Sequence, residues 1–152
     1  MSKSGYTAAV GAAVALVGAT AKTVLSVICP AQFGADVQGY EIGFDGVTST
    51  DKAVVVELVA YTADGTGTAG TINQVYGRTI TAGFTSKYNY TVEPTGGTVI
   101  SRKSLTPIGG LIVWQFPYGQ TPDTPVSAIL GMRLTAPTSA VNANATLWVE
   151  RG

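Results

Sequence analysis

Short apolar runs with the rhythm of β-strands, separated by turn residues, follow one another along nearly the whole chain. In VQGYEIGF, Tyr40, Ile42 and Phe44 recur at every second position and therefore share one face of an extended strand. Asp45 and Gly46, which follow, are a tight-turn signal. Similar runs are KTVLSVI, KAVVVELVAYT, INQVYGRTI, KYNYTVE, GTVISRKS, GLIVWQF, SAILGMRLT and ATLWVE. Together they predict about eight to ten strands spaced about 10–14 residues apart, which is typical of an all-β sandwich or barrel.

Several of these strands are apolar on both faces. In GLIVWQF, Leu111 and Val113 lie on one side, and Ile112, Trp114 and Phe116 lie on the other. A sheet with one face in water would instead alternate cleanly between apolar and polar residues. One face of such a strand fills the sandwich, so we expect the second to be covered by another sheet or another subunit.

The N-terminal segment lacks a clear strand or helix pattern. Alanine content over residues 8–17 favours a helix, but Gly11, Gly18 and scattered valines favour an extended arm or edge strand. The segment also has the outline of a secretory signal, although its alanine-rich run is weakly apolar and too short to span a membrane. We therefore predict an extended N-terminal arm over residues 1–13 and a single β-sandwich domain over residues 14–152.

Composition and charge change the expected partners. Among 152 residues, nine are basic and nine acidic, so the formal net charge is zero, and charged residues make up only 12%. No basic patch is visible, so neither nucleic acid nor a membrane is a predicted partner. A neutral surface rich in Thr and Gly resists association poorly, which favours a molecule that sits against other proteins.

The residue inventory removes most catalytic chemistry. The chain has no His and one cysteine, Cys29. Histidine-dependent nucleophile pairs, an internal disulfide and a cysteine zinc site are therefore excluded within one chain. Apolar Val27 and Ile28 beside Cys29 predict a buried thiol. We predict no enzyme activity, no catalytic residues, no metal and no cofactor.

One pair of carboxylates could in principle serve as a catalytic acid pair. Glu41 and Glu57 fall on adjacent predicted strands and could face each other, as the two carboxylates of a glycosidase do. Their apolar neighbours suit a salt bridge equally well, to Lys22, Arg78 or Arg133. We favour the salt bridge.

The stretch AYTADGTGTAG contains a literal G-x-G-x-x-G after a predicted strand. A phosphate-binding turn also needs a helix that begins at the last glycine. The following TINQVYGRTITAGF has no helical period, and Asp64 would repel a pyrophosphate. We therefore predict a flexible loop that joins two antiparallel strands.

The aromatic residues allow two interpretations. They could form a sugar-stacking platform, but such residues more often fill a core or a subunit contact. The candidates are Tyr88, Tyr90, Trp114, Phe116, Tyr118 and Trp148.

Residues from about 14 to 150 resemble a protein family. The patterns FDGV, VELV-x-x-TADGTGT and GRTI-x-x-GFT-x-K-x-NYT-x-EPT resemble small head proteins of tailed phages, chiefly phages of actinobacteria, known as capsid decoration, minor capsid or cement proteins. The resemblance implies a jelly-roll-like antiparallel β-sandwich and a homotrimer. It also implies a place on the outer capsid surface of the virion, with the major capsid protein as partner, and no enzyme activity. It supplies no site residues.

Three functions follow as hypotheses. The first is a structural virion protein that stabilises capsomer junctions, with the arm reaching the shell or a neighbouring subunit through Tyr6, Val10 and Val14. The second is a carbohydrate-binding β-sandwich module for host adhesion. The third is another phage coat or tail subunit.

Overall fold

The structure is a computed structural model that describes residues 4–47, 52–109, 111–137 and 141–151. These residues contain thirteen β-strands, which arise from the alternation of apolar and polar residues along the chain. No helix occurs in these residues, and none is therefore long and apolar enough to cross a membrane. The strands are β1 Gly5–Ala9, β2 Val14–Leu16, β3 Ala21–Ile28, β4 Ala35–Phe44, β5 Val54–Tyr61, β6 Thr66–Ala69, β7 Thr71–Tyr76, β8 Thr85–Val92, β9 Thr98–Leu105, β10 Leu111–Gln115, β11 Asp123–Thr124, β12 Ile129–Thr135 and β13 Val141–Arg151.

The strands form two antiparallel sheets. Sheet A has the order β10-β4-β13-β1-β7, with β11 paired to β4 and β2 paired to β13. Sheet B has the order β6-β8-β3-β12-β5-β9. The predicted all-β, jelly-roll-like antiparallel sandwich is confirmed. The described strands outnumber the eight to ten expected, because β2, β6 and β11 are too short to show a period in sequence.

The core lies between the two sheets. Tyr40, Ile42 and Phe44 of β4 point inward as their period predicted, and they belong to one buried cluster with Leu130 and Met132 of β12. Full burial of such a side chain contributes roughly 1.5–3 kcal/mol relative to exposure. Most of the cluster joins residues far apart in sequence, so each sheet buries the inner face of the other.

The N-terminal segment is built into sheet A. Strand β1 hydrogen-bonds to β13 on one side and to β7 on the other. Tyr6 is only 3% exposed, and Ala8 is fully buried. Residues 5–9 of the predicted arm are therefore a strand of sheet A. Residues 1–3 of the predicted arm lie outside the described residues.

The predicted loop around GTGTAG is only partly a loop. Thr66–Ala69 forms β6, an edge strand paired with β8 of sheet B. The prediction of a loop through this stretch is therefore wrong for these four residues. Glycines weaken the strand pattern in the sequence, and pairing with β8 stabilises the strand in the structure. Strand β7 then begins at Thr71 in the other sheet, and no helix begins at Gly70 as a phosphate site requires.

Strand β5 is apolar on both faces because the chain itself covers the second face. Val59, Tyr61 and Ile129 form a small buried cluster apart from the main core. Gly97 lies against this side, since a β-carbon there would come within 2.9 Å of the Val59 side chain and 3.1 Å of the Tyr61 ring. For β5, the predicted cover is therefore provided within one chain.

Candidate docking surface and aromatic groove

Glu41 and Glu57 do not meet as a catalytic pair. Strand β4, which carries Glu41, lies in sheet A, whereas β5, which carries Glu57, lies in sheet B. The expectation that they occupy adjacent strands is wrong, because β4 and β5, although consecutive in the chain, belong to different sheets. Cross-sheet connections of this kind are invisible in the local pattern of either strand.

Glu57 forms the salt bridge that the sequence favoured. It is 5% exposed, and its carboxylate accepts hydrogen bonds from Arg133 Nε at 3.2 Å and from Arg133 Nη2 at 3.3 Å. Burial alone would lower the pKa of Arg133, but the hydrogen bonds that Arg133 donates to Glu57 outweigh it and raise that pKa. Arg102 adds a longer contact of 3.6 Å. These bonds make Glu57 a structural carboxylate.

Cys29 has the properties of a structural thiol. It is buried, as predicted, and burial together with the charge of Asp123 raises its pKa to about 11. At neutral pH the thiol is protonated and therefore a poor nucleophile. Within the described residues, no group of three or more acidic or cysteine side chains could hold a metal ion.

Asp64 organises the turn before β6. Its carboxylate accepts hydrogen bonds from the Gly65 amide at 2.8 Å, from Tyr90 Oη at 2.9 Å and from Lys87 Nζ at 2.5 Å. Burial raises the pKa of Asp64, but these three donors outweigh it and hold the pKa below its usual value. The Asp64 carboxylate therefore has a structural role, in which it joins the turn before β6 to Lys87 and Tyr90 of β8.

Exposed apolar side chains occur on and beside β9 and β10, the strands that end the two sheets. Strand β10 is the last strand of sheet A and β9 the last of sheet B. Leu111 is 66% exposed and Val113 is 53% exposed. We call this surface the apolar edge; its members are Val99, Ile100, Ile108, Leu111 and Val113.

The inner side of β10 is fixed by aromatic contacts. Trp114 packs edge-on against Phe116, and Phe116 packs edge-on against Tyr40, with ring centroids 6.4 Å and 6.1 Å apart. Lys103 of β9 lies 4.0 Å from the centre of the Trp114 ring. A cation over an indole face stabilises such a contact by roughly 0.5–2 kcal/mol. Leu111 and Val113 are thus presented to solvent from a braced strand.

The opposite edge of the sandwich is more mixed. It consists of β6, TGTA, and β7, TINQVY, which combine Thr, Asn, Gln and Gly with the exposed Val75 and Tyr76 and likewise contain no charged residue. Strand β10, LIVWQ, has no charged residue and no proline, the devices that normally stop an edge strand from pairing with another chain. The sequence indicated two apolar faces for β10, and the structure leaves one of them uncovered.

The three predicted partner-contact residues lie at the start of sheet A. Tyr6 and Val14 are buried, and the Tyr6 hydroxyl donates to the Ile80 carbonyl at 2.8 Å. Val10 is partly buried at the beginning of the turn between β1 and β2, where Gly11, Ala12 and Ala13 are exposed. The structure therefore places Val10 next to an accessible turn and the other two in the core.

A groove crosses the outer face of sheet A from β7 to the end of β10. Its volume is about 370 Å³, and its walls include Trp148, Tyr76, Glu150, Gln38 and Gln115. Glu150 accepts hydrogen bonds from the Tyr76 hydroxyl and from Gln38 Nε2, the latter at 3.3 Å. Aromatic rings, amides and a carboxylate therefore converge on one cavity.

Of the six aromatic candidates, Trp148 alone lines this groove. Tyr90 is buried, and Tyr118 is fully exposed elsewhere. Sequence reasoning missed Tyr76, Gln38 and Gln115. Only the alternation of β13, which puts Trp148 and Glu150 on one face, could have suggested part of the groove.

Comparisons with known proteins give limited similarity. No protein-family model matches the chain, and no curated protein matches it. A chain in the structure of infectious bursal disease virus Gt strain aligns with 97% of this chain and 33% of its own length, with 13% identity and a TM-score of 0.48. A chain in the structure of infectious bursal disease virus Gx strain aligns with 99% of this chain and 42% of its own length, with 15% identity and a TM-score of 0.26. At these TM-scores the likeness does not bear on function.

Proposed function

We propose that this chain is a structural protein of a phage virion, a decoration protein that assembles as a homotrimer on the outer surface of the head. The apolar edge carries the proposal, because exposed valine, leucine and isoleucine on unpaired edge strands favour association with another protein. The sequence resemblance over residues 14–150 and the low charge content support it.

The partner proposed for the apolar edge is a second copy of this chain. Permanent contacts between copies are more apolar than docking contacts that form and dissolve. An edge that meets a different surface of the next copy gives a ring when the rotation closes, as in a trimer. Each of the three subunits then contacts the major capsid protein weakly, and the three contacts together give a high affinity for a capsomer junction.

The proposed N-terminal contact takes a narrower form. Val10 and the exposed turn over residues 11–13 are accessible to the shell or a neighbouring subunit. Tyr6 and Val14 contribute by anchoring β1 and β2 on either side of this turn, since both side chains are buried.

The experiment compares two substitutions of similar exposure. Val113→Lys places a charge on the apolar edge, and Val126→Lys places the same charge on a site that is 51% exposed and lies outside that edge. By sedimentation equilibrium we expect a trimer mass for the wild type and Val126→Lys, and a monomer mass for Val113→Lys. A monomeric wild type would refute the homotrimer.

Decoration is tested separately by co-sedimentation with undecorated phage heads. We expect the wild type and Val126→Lys to pellet with the heads to saturation, and Val113→Lys to bind at least about tenfold more weakly because it loses the avidity of three subunits. A stable trimer that stays in the supernatant would refute the decoration role while leaving the apolar edge as a subunit contact.

A further inference from the structure

The groove on the outer face of sheet A has a construction that the proposed structural role does not require. Its volume of about 370 Å³ falls within the roughly 300–1,000 Å³ of small-molecule sites. It runs across the outer face of sheet A from Val75 and Tyr76 of β7 to Gln115, the last residue of β10, and no member of the apolar edge lines it.

Two glycines in sheet A allow the aromatic rings to lie against the sheet. A β-carbon on Gly39 would come within 3.0 Å of Cε3 of Trp148, and a β-carbon on Gly5 would overlap the Tyr76 ring. A larger residue at Gly5 would displace the Tyr76 ring, and one at Gly39 would clash with the Trp114 carbonyl oxygen of β10 as well as with Trp148. Trp148 and Tyr76 thus line the groove, and Tyr76 remains 50% exposed.

The polar side chains of the groove provide both donors and acceptors. Glu150 offers carboxylate oxygens, and Gln38 and Gln115 each carry an amide with two donors and one acceptor. The bonds from Tyr76 and Gln38 to Glu150 fix the orientation of this carboxylate beside the rings. A ligand that fits must combine an apolar face with a rim of hydroxyl groups.

We propose that this groove is a binding site for a neutral saccharide. A pyranose ring has an apolar C–H face that stacks on an aromatic ring and equatorial hydroxyls that both donate and accept hydrogen bonds. Trp148 and Tyr76 supply the stacking surface, and Glu150, Gln38 and Gln115 bind the hydroxyls. Among the described residues that line the groove, the charged side chain is the carboxylate of Glu150. Its negative charge disfavours an anionic sugar.

The two tryptophans of the chain permit a direct test. Trp114→Phe leaves Trp148 as the single indole emitter, and Trp148→Phe leaves Trp114, which does not line the groove. Each full-length variant is titrated with lactose, maltose, cellobiose and N,N′-diacetylchitobiose. We expect at least one sugar to produce a saturable change in emission in Trp114→Phe and no change in Trp148→Phe. Absence of a saturable change with all four sugars, or an equal change in both variants, would overturn the proposal.

Calorimetric titration with the responding sugar identifies the contacts. We expect Trp148→Ala and Tyr76→Ala to weaken binding at least about tenfold, in line with the loss of one aromatic stacking contact. Tyr118→Ala, which removes a fully exposed tyrosine outside the groove, should bind like the wild type. Equal weakening by all three would overturn the assignment.

Folding and assembly are checked on the same samples. Far-UV circular dichroism and sedimentation equilibrium should give the wild-type spectrum and mass for every variant. If Trp148→Ala fails to fold, Gly5→Ala, which displaces the Tyr76 ring, takes its place and should also weaken binding. Sugar binding without trimers, or trimers without sugar binding, would separate this proposal from the structural one.

Discussion

At the scale of single residues, polar side chains on the outer face of sheet B connect segments distant in sequence. The Tyr90 hydroxyl shares hydrogen bonds with Ser26 at 2.7 Å and Asp64 at 2.9 Å. Glu93 accepts from the Thr23 amide at 2.9 Å and from the Thr23 hydroxyl at 2.5 Å. Buried polar groups of this kind cost stability when one partner is removed, because the other is left unpaired.

We predict that Asp64→Asn lowers the free energy of unfolding by about 1–2 kcal/mol at pH 7, since it removes the charge that three donors share. The pKa of Asp64 is lower in the folded than in the unfolded state. Its contribution is therefore fully present above the unfolded pKa, near 3.9, and is lost as pH falls through the folded pKa.

Urea denaturation at pH 7 and at successive values below pH 4 measures this effect. The difference between wild type and Asp64→Asn should shrink toward the acid end, as the wild-type carboxyl becomes protonated. A difference that is constant across this range would show that shape, and not charge, is what Asp64 contributes.

At the scale of elements, the position of β1 decides how the N-terminal segment can act. A strand hydrogen-bonded on both sides is held more firmly than an edge strand, and β1 also carries the buried Tyr6 and Ala8. Deleting residues 2–13 would remove a strand from sheet A, so loss of capsid binding after such a deletion would not by itself identify a contact.

We predict that locking β1 into sheet A leaves capsid binding intact. Ala9 and Thr146 are directly opposed in register, which gives Cα atoms about 4.5–5.5 Å apart and suits a disulfide. The variant Ala9→Cys/Thr146→Cys, oxidised, should pellet with undecorated heads as well as its reduced form does, because the accessible turn at Val10 is unaffected.

The single variants Ala9→Cys and Thr146→Cys are the controls for the substitutions themselves. If oxidation of the double variant abolishes binding and reduction restores it, β1 must leave sheet A to reach its partner. That outcome would favour exchange of an N-terminal arm over contact through the turn.

At the scale of the whole molecule, net charge and edge character indicate how assembly is driven. The chain has a formal net charge of zero, and β10 contains no charged residue, although Arg102 and Lys103 lie on the neighbouring β9. Association through such a surface is driven by burial of apolar area and not by long-range attraction.

We predict that the apparent affinity for undecorated heads changes less than about threefold between roughly 0.05 and 0.5 M NaCl, because screening acts only on charge–charge interactions. Co-sedimentation across this series is the measurement, with the trimer mass followed at each salt concentration. A loss of tenfold or more at high salt would show that ion pairs dominate capsid binding.

The sequence alone determined the strands and what most of them bury. Apolar residues at every second position indicate which side chains of a strand face the core, whichever strand lies next to it. The inward face of β4 and the burial of Cys29 could therefore be predicted. The resemblance and the charge balance led to the proposed function. The salt bridge from Glu57 to Arg133 was among the predicted alternatives because both residues interrupt apolar runs.

Only the tertiary structure decided which strands are neighbours. It placed β1 between β13 and β7, separated Glu41 from Glu57, and covered the second face of β5 while leaving that of β10 open. It also laid Tyr76 over Gly5. These outcomes depend on pairing between segments far apart in the chain. The local pattern of apolar residues indicates which side chains are buried but not which strand pairs with them.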